Sequence, residues 1–580
     1  MISKVLVANR GEIAIRVMRA CRDLDIASVA VYSDIDARSL HTRMADEAYN
    51  VGPAPAAESY LNIPAILEAA KRSRAQAVHP GYGFLAENAA FAQAVMDAGL
   101  TWIGPSPQII DSMGDKTAAR RAATDAGVAT VPGTKEPVRS AGEVTAFAAE
   151  HGLPLAIKAS AGGGGKGFRV VTEASAIEEA LAGAAREAQA YFSSADVYLE
   201  RYLERPRHIE IQVLGDASGS ILSFPERDCS LQRRHQKLVE ESPSPALDRS
   251  VREAIMEAAA RVSKQVGYQN AGTCEFLLDA DGETFYFLEM NTRLQVEHPV
   301  TELVTGIDLV TAQLLVASGE PLGFDQGDVE LRGHAIECRI NAENAAKNFM
   351  PAPGDIGTYK EPAGPGVRVD SGTESNSTIP QTYDPLISKL ITYGADRDEA
   401  RRRMLRALDE YVIEGIKTTI PFHSLMLADD RFATGDYHTG TVEREMDLSV
   451  LKETPPPKQA PGEPEVAERA FEVEVDGKRF SVVARERLET VVRQRKPKPP
   501  KASGAVGSGG SEVLAAPMQG TIVKVLVAAG DSVAAGDTIC VLEAMKMENS
   551  ILAHAAGTVE ELKVTQGQAV ETGATIAVIR

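Results

Sequence analysis

The sequence predicts an α/β protein over most of its length, followed by a separate all-β sandwich at the C-terminus. Three observations carry this prediction. Residues 2–8 read as a buried apolar strand, the segment from Gly11 to Leu24 has helical spacing, and Ala27–Tyr32 is a second strand. This is a βαβ opening of the Rossmann-like kind. Strand-like and helical stretches then continue to about residue 445, mixed rather than strictly alternating. Near the C-terminus, Gly520-Thr521 recurs as Gly557-Thr558, Gly530 as Gly567, Val533 as Val570, Gly536 as Gly573, and Thr538-Ile539 as Thr575-Ile576, always 37 residues on. Two similar runs of short strands punctuated by glycine predict a small quasi-symmetric sandwich.

The first strand is not followed by G-x-G-x-x-G, so the opening is not read as a dinucleotide site. At 580 residues the chain exceeds single-domain size, and its 44% apolar and 24% charged content is that of a globular enzyme. A net charge of −20 argues against nucleic-acid binding. Cys21, Cys229, Cys274, Cys338 and Cys540 are scattered without a CxxC pair, which argues against a disulfide scaffold or zinc ribbon and fits a reducing compartment. With no cationic leader and no apolar stretch of transmembrane length, a cytoplasmic location without membrane association is expected.

Gly162–Gly167 reads Gly-Gly-Gly-Gly-Lys-Gly. Lys166 is followed by glycine rather than serine or threonine, so the P-loop pattern fails. An apolar segment ending in Ile157-Lys158 precedes it and Phe168-Arg169-Val170-Val171 follows. Strand–loop–strand is the arrangement by which a glycine lid lays backbone N–H groups over nucleotide phosphates, although a surface loop would read the same way. Lys158, a charge in an apolar strand, and Lys116, in Met-Gly-Asp-Lys, supply cations.

Residues 272–278 and 284–291 read as two antiparallel strands joined by Asp279-Ala-Asp-Gly282. Glu275 and Glu289 each sit among apolar residues, and a buried carboxylate is costly unless paired or metal-bound. With Asn291 on the face of Glu289, oxygen-only ligation suits magnesium, and a structural salt bridge is the alternative. Beyond the hairpin, the odd positions Glu289, Asn291, Arg293, Gln295 and Glu297 are all polar. If the segment stays extended, one stripe carries a metal site, an anion clamp at Arg293 and a base at Glu297.

In Glu543-Ala-Met-Lys-Met-Glu-Asn-Ser550 a lysine stands between two methionines, at the tip expected to join the halves of the repeat. A solvated surface lysine is the plain reading of Lys546. The methionines and the repeat together resemble the biotinyl domain of biotin-dependent carboxylases. Lipoyl domains share this fold but usually place an acidic residue before the lysine. Upstream, Phe471–Val475 and Arg479–Val483 predict a hairpin through Asp476-Gly477-Lys478. Arg493–Ser511 is Pro-, Gly- and Ser-rich, a linker spanning roughly 25 Å as a coil and roughly 65 Å when stretched.

Further motifs are Val-Ala-Asn-Arg-Gly-Glu (7–12), His-Pro-Gly-Tyr-Gly-Phe-Leu-Ala-Glu-Asn (79–88), Arg-Arg-His-Gln-Lys (233–237), Glu-Met-Asn-Thr-Arg-Leu-Gln-Val-Glu-His (289–298) and Glu-Cys-Arg-Ile-Asn-Ala-Glu (337–343). Residues 1–447 resemble biotin carboxylase, an ATP-grasp enzyme, and the whole chain resembles the α subunits of actinobacterial-type acyl-CoA carboxylases. The resemblance implies an N-terminal Rossmann-like domain (1–115), an ATP-grasp domain (116–330, lid about 130–203) and a mixed α+β C-terminal domain (331–447). A linker (448–465), a small β-rich partner-binding segment (466–492), the mobile linker (493–511) and an all-β biotinyl, lipoyl-like sandwich (512–580) follow.

The implied roles fall residue by residue. Lys116, Lys158, Gly163, Gly164, Gly165, His208, Gln232 and His235 resemble nucleotide contacts, and Glu200, Arg201 and Leu203 the adenine hinge, where many relatives have lysine in place of Arg201. Glu275, Glu289 and Asn291 resemble ligands of magnesium or manganese, the two glutamates also serving the nucleotide. Lys237, Arg293, Gln295 and Val296 resemble the bicarbonate site, Glu297 the base and Arg339 the group that holds biotin's enolate. The implied cofactors are ATP, the divalent metal and biotin on Lys546. The implied partners are a carboxyltransferase β subunit in an oligomeric α–β complex and a biotin protein ligase. Acetyl-CoA or propionyl-CoA would be the final acceptor. Pyruvate or urea carboxylases would share the first half but usually carry longer chains, and a passive biotin carrier would not need the intact set of lysines, acids and arginines.

Overall fold

The computed structural model describes residues 2–134, 136–159, 168–192, 196–216, 218–451, 466–475, 478–487, 513–517, 520–544, 547–571 and 573–580. The glycine loop, Lys546, the turn at 476–477 and the linker regions 452–465 and 488–512 lie outside them. The described residues divide into two compact units, one of the residues up to Leu451 with Glu543, Ala544 and Met547, and one of the other residues C-terminal to Leu451.

The first unit opens as the sequence predicts. Strand β1 (Lys4–Val7), the helix Gly11–Asp23 and β2 (Ala27–Ser33) are followed by β3 (Glu47–Gly52), β4 (Ala77–His79) and β5 (Thr101–Trp102). They form a parallel sheet in the order β3-β2-β1-β4-β5. Its strands are apolar on both faces because helices cover both, with Leu6, Val29, Val31 and Val78 packed against Phe91 and Trp102 on one side and Val5, Val7 and Ala30 against Ile13 and Val17 on the other.

Next comes a three-stranded antiparallel sheet, β7 (Phe168–Val171), β6 (Leu155–Ala159) and β8 (Val197–Arg201), with β6 central. The pairing of β6 with β7 is the strand–loop–strand frame read from the sequence. Leu155, Ile157, Val171, Val197 and Leu199 pack against Val144 and Phe147 of the helix Ala141–His151.

The largest element is a nine-stranded antiparallel sheet. Strands β9 (Arg207–Gly215), β10 (Ile221–Ser223), β11 (Arg227–Arg233), β12 (Gln236–Ser242), β13 (Asn270–Leu278), β14 (Phe285–Asn291) and β15 (His334–Asn341) join Leu386–Gly394 and Val367–Ser371. The order is β14-β13-β9-β11-β12-β15, then Leu386–Gly394 and Val367–Ser371, with β10 on β9. Through β12 and β15 the sheet runs unbroken across residues 330 and 331. The helix Arg249–Gln265, capped by Asp248, sets Val251, Ile255, Ala258 and Val262 against Cys274, Phe276 and Phe287. No single helix among the described residues is long and apolar enough to cross a membrane.

In the second unit, Val466–Val475 and Lys478–Arg487 pair antiparallel, extending the predicted hairpin. Residues 513–579 form two four-stranded sheets. The repeat explains their exchange: Gly520–Val525 pairs with Ala569–Val570 of the second half, and Gly557–Leu562 pairs with Ser532–Val533 of the first. Each half completes the other's sheet, which is the predicted quasi-symmetric sandwich. The neighbours Thr538–Ala544 and Met547–Leu552 flank residues 545 and 546.

Candidate active site

The large sheet lines up chemistry that is scattered in sequence. Glu275 on β13 stands opposite Glu289 on β14 and opposite Glu210 on β9, and Glu210 stands opposite Arg227 on β11. Gln232 faces Lys237 across the β11–β12 turn, where Arg234 and the exposed His235 both have positive φ. Farther along, Glu240 is opposite Glu337, and Arg339 is opposite Lys389.

Lys237 is the hub. Its Nζ reaches Glu210 Oε2 at 2.6 Å, Glu275 Oε1 at 3.0 Å and Glu297 Oε1 at 2.6 Å. Each of these carboxylates holds a second cationic group on its other oxygen. Arg227 Nε donates to Glu210, His208 Nε2 lies 2.9 Å from Glu275, and Arg339 donates to Glu297 at 2.8 Å. Arg339 is itself fixed by Glu240 at 2.6 Å. Simple alternation along β12 would send Lys237 and Glu240 to opposite faces. The pairing shifts between Leu231–Val239 and Gln232–Lys237, a bulge that inserts one residue into β12 and returns Lys237 to the face of Glu240.

The segment after β14 departs from the extended stripe expected of it. The strand stops at Asn291, residues 292–297 turn, and the helix His298–Thr305 begins with Glu297 as its N-cap residue and Pro299 in its first turn. The turn, not alternation, brings the polar groups together. Arg293 donates to Gln295 Oε1 at 2.9 Å, to Asn291 Oδ1 at 3.1 Å and to Glu87 Oε2 at 2.9 Å, while Glu87 Oε1 accepts from the Thr292 N–H. Gln295 and Glu297 are buried. Glu297 is completely so, with a carboxylate at a helix N-terminus.

The electrostatics follow from burial and partners. Burial alone would raise the carboxyls of Glu297 and Glu275, but Lys237 outweighs it, joined by Arg339 and Arg227 at Glu297 and by His208 at Glu275; both are held well below the usual carboxylate range. Burial would lower His208 and Lys237; the carboxylates outweigh it and raise both. Glu240 goes the other way: burial, with Glu297 nearby, pushes it up to about 7 despite Arg339.

The remaining sequence-predicted residues gather at the edge shared with the three-stranded sheet. Lys158 Nζ pairs with Glu200 at 2.8 Å, and Arg201 bonds Tyr286 Oη at 2.7 Å and Asp279 at 2.8 Å. Leu203 packs with Val131 and Tyr286. Lys116 lies 3.4 Å from Glu289 with its side chain 80% exposed, open to an incoming anion. Among the described residues, the clustered metal-ligating side chains are His208–Glu210–Glu275 and Glu210–Cys229–Glu297, but the ammonium of Lys237 already bonds all three of their carboxylates. Glu275 and Glu289, the oxygen pair expected for magnesium, stand directly opposed with Asn291 beyond them, and Glu275 is shared with Lys237. Sequence reasoning missed Glu87, Glu210, Arg227, Glu240 and Lys389.

A three-stranded antiparallel sheet, a shared acidic edge and a cation-pinned buried carboxylate beside a second, larger sheet are the arrangement of an ATP-grasp enzyme of the biotin carboxylase class. Family models for the biotin carboxylase N-terminal domain match residues 1–110, the carbamoyl-phosphate synthase L chain ATP-binding domain 115–324, the biotin carboxylase C-terminal domain 337–444 and a biotin-requiring enzyme domain 512–579. The biotin-dependent acyl-coenzyme A carboxylase alpha3 subunit of Mycobacterium leprae is 49% identical, over 100% of this chain and 99% of that one. The mitochondrial propionyl-CoA carboxylase alpha chain of Mus musculus is 42% identical over 98% of this chain and 91% of its own. A biotin carboxylase–nucleotide complex from Campylobacter jejuni superposes with a TM-score of 0.70 at 44% identity, covering 77% of this chain and 99% of that one. The chain belongs to the biotin-dependent acyl-CoA carboxylase alpha subunits, ATP-dependent biotin carboxylases joined to a biotin carrier domain.

Proposed function

We propose that this chain uses ATP and bicarbonate to carboxylate biotin held on Lys546, for transfer by a separate carboxyltransferase β subunit to an acyl-CoA such as acetyl-CoA or propionyl-CoA. The observation that carries the reading is Glu297, a buried carboxylate held between Lys237 and Arg339.

Lys116, Lys158, His208, Gln232, His235 and the glycine loop with Gly163, Gly164 and Gly165 would hold the nucleotide, and Glu200, Arg201 and Leu203 its base. Glu275, Glu289 and Asn291 would hold magnesium, which neutralises phosphate charge. Arg293, Gln295, Val296 and Lys237 would hold bicarbonate in line with the γ-phosphorus. Attack of a bicarbonate oxygen releases ADP and forms carboxyphosphate, which breaks to carbon dioxide and phosphate. An anion arriving at Lys237 competes for the ammonium that depresses Glu297. Its basicity then rises when a proton must be taken from the ureido nitrogen, with phosphate as the alternative acceptor. Arg339, held by Glu240, is placed to stabilise the oxygen that gains charge.

Biotin on Lys546 would be installed by a biotin protein ligase. Residues 466–492 are the proposed β-subunit contact, and residues 493–511 the tether. The test is transfer of labelled bicarbonate to the purified biotinylated chain with ATP and magnesium, beside Lys546→Ala and Glu297→Gln. Label that requires ATP and vanishes in both variants supports the reading. Full labelling of Lys546→Ala, or of Glu297→Gln, overturns the corresponding assignment.

A further inference from the structure

Lys389 is a lysine inside a strand of the large sheet, Leu-Ile-Ser-Lys-Leu-Ile-Thr-Tyr, and its side chain is 0% exposed. Burying an ammonium costs several kcal/mol unless its bonds are strong and fixed. Its Nζ lies 3.2 Å from Glu12 Oε2 and 3.7 Å from Asp370 Oδ2, and it donates to the carbonyl oxygen of Val296 at 3.0 Å. Those three partners come from three parts of the first unit. Glu12 opens the helix Gly11–Asp23 and accepts from the Tyr82 hydroxyl, and Asp370 is held by Arg368. Gly372 packs so tightly on that helix start that a Cβ there would come within 2.6 Å of the Glu12 nitrogen.

Asp370 keeps Arg368 as a partner without Lys389, so the ammonium balances chiefly Glu12. Its bond to the Val296 carbonyl is separate from that balance. That carbonyl belongs to the peptide joining Val296 to Glu297, and that peptide sets the entry into the helix His298–Thr305. Glu297 is held by Lys237 and Arg339. Lys389, opposite Arg339 in the sheet, holds the backbone of the same turn through the Val296 carbonyl.

We infer that Lys389 is a positioning residue for carboxylation, fixing the Val296–Glu297 peptide through the Val296 carbonyl so that the bicarbonate-binding turn and the base keep their places. This rests on the reading of residues 293–297 as the anion and base site. A misplacement of this turn weakens bicarbonate capture and proton transfer without touching the nucleotide.

The test uses the full biotinylated chain. In Lys389→Met the KM for bicarbonate rises about tenfold and kcat falls, while the KM for ATP stays within about twofold. Lys389→Met/Glu12→Gln, which removes one buried negative charge as well, recovers thermal stability but keeps the bicarbonate defect. Glu12→Gln alone keeps the Val296 bond and shows wild-type bicarbonate kinetics. A double variant with normal bicarbonate KM and kcat, or a Glu12→Gln variant as defective as Lys389→Met, would overturn the proposal and leave Lys389 a structural charge. Glu297→Gln separates the two readings: if it is fully active, the base assignment fails; if it is inactive while Lys389→Met is normal, only the role of Lys389 fails.

Discussion

Replacing Lys237 by methionine is the sharpest perturbation of this site. The ammonium makes three charge-assisted bonds, to Glu210, Glu275 and Glu297. At ~1.5–3 kcal/mol for each such bond, the loss has an upper bound near 9 kcal/mol. Arg227, His208 and Arg339 remain on the three carboxylates. The realistic cost is therefore that of breaking one buried pair, about 3–5 kcal/mol. The sign with pH is fixed by the two depressed carboxyls, Glu275 and Glu297. Their contribution to stability is complete above their unfolded pKa near 4.5 and is lost as pH falls through their folded values. Without Lys237 the depression shrinks, so the variant is less stable at neutral pH and loses less further stability as pH falls below about 4.5. Urea midpoints across the acid range report the stability change, and bicarbonate-dependent ATP turnover should drop at least ~100-fold. A Lys237→Met chain with the wild-type acid profile, or one that keeps its turnover, would refute the hub.

Glu240→Gln tests the raised carboxyl. Ionising Glu240 costs stability progressively as pH rises from its ordinary value towards about 7, and that displacement is worth roughly 3 kcal/mol. The variant has no such proton to lose, so its urea midpoint should vary less over this range; an identical slope would contradict the assignment. His208→Gln addresses the opposite case. The raised histidine contributes stability below its unfolded pKa and loses it as pH rises through the folded value, so the variant should lose stability most in weak acid, read from the same midpoints. Deleting residues 466–492 should abolish co-purification with the β subunit while sparing ATP turnover, and a retained complex would remove that segment as the docking site.

Much of the fold was legible because its signals are local. The βαβ opening, the hairpin around Asp279–Gly282 and the 37-residue repeat each declare themselves within one stretch of chain. The site was legible by type but not by path. Glu289 to Glu297 carries the right groups, yet alternation fails at Asn291, where a turn and Pro299 convert strand to helix. Glu210 and Lys389 carry the same signal that singled out Glu275 and Lys158, a charge inside an apolar strand. Their purpose depends on neighbours dozens of residues away, and only the strand order supplies those. Arg227 and Glu240 are in the same position: each is a costly buried charge until β9, β11, β12 and β15 are set side by side.

The bulge in β12 gives the site a second kind of specification. Lys237 reaches its three acids only because the extra residue between it and Val239 is taken up as a bulge. A chain that kept every side chain but paired this stretch residue for residue with β11 would present the ammonium to the other side of the sheet. Register here is inherited along with side chains, and it is the harder property to recover: a lost lysine returns by one substitution, a lost bulge only when the strand shifts against its neighbour.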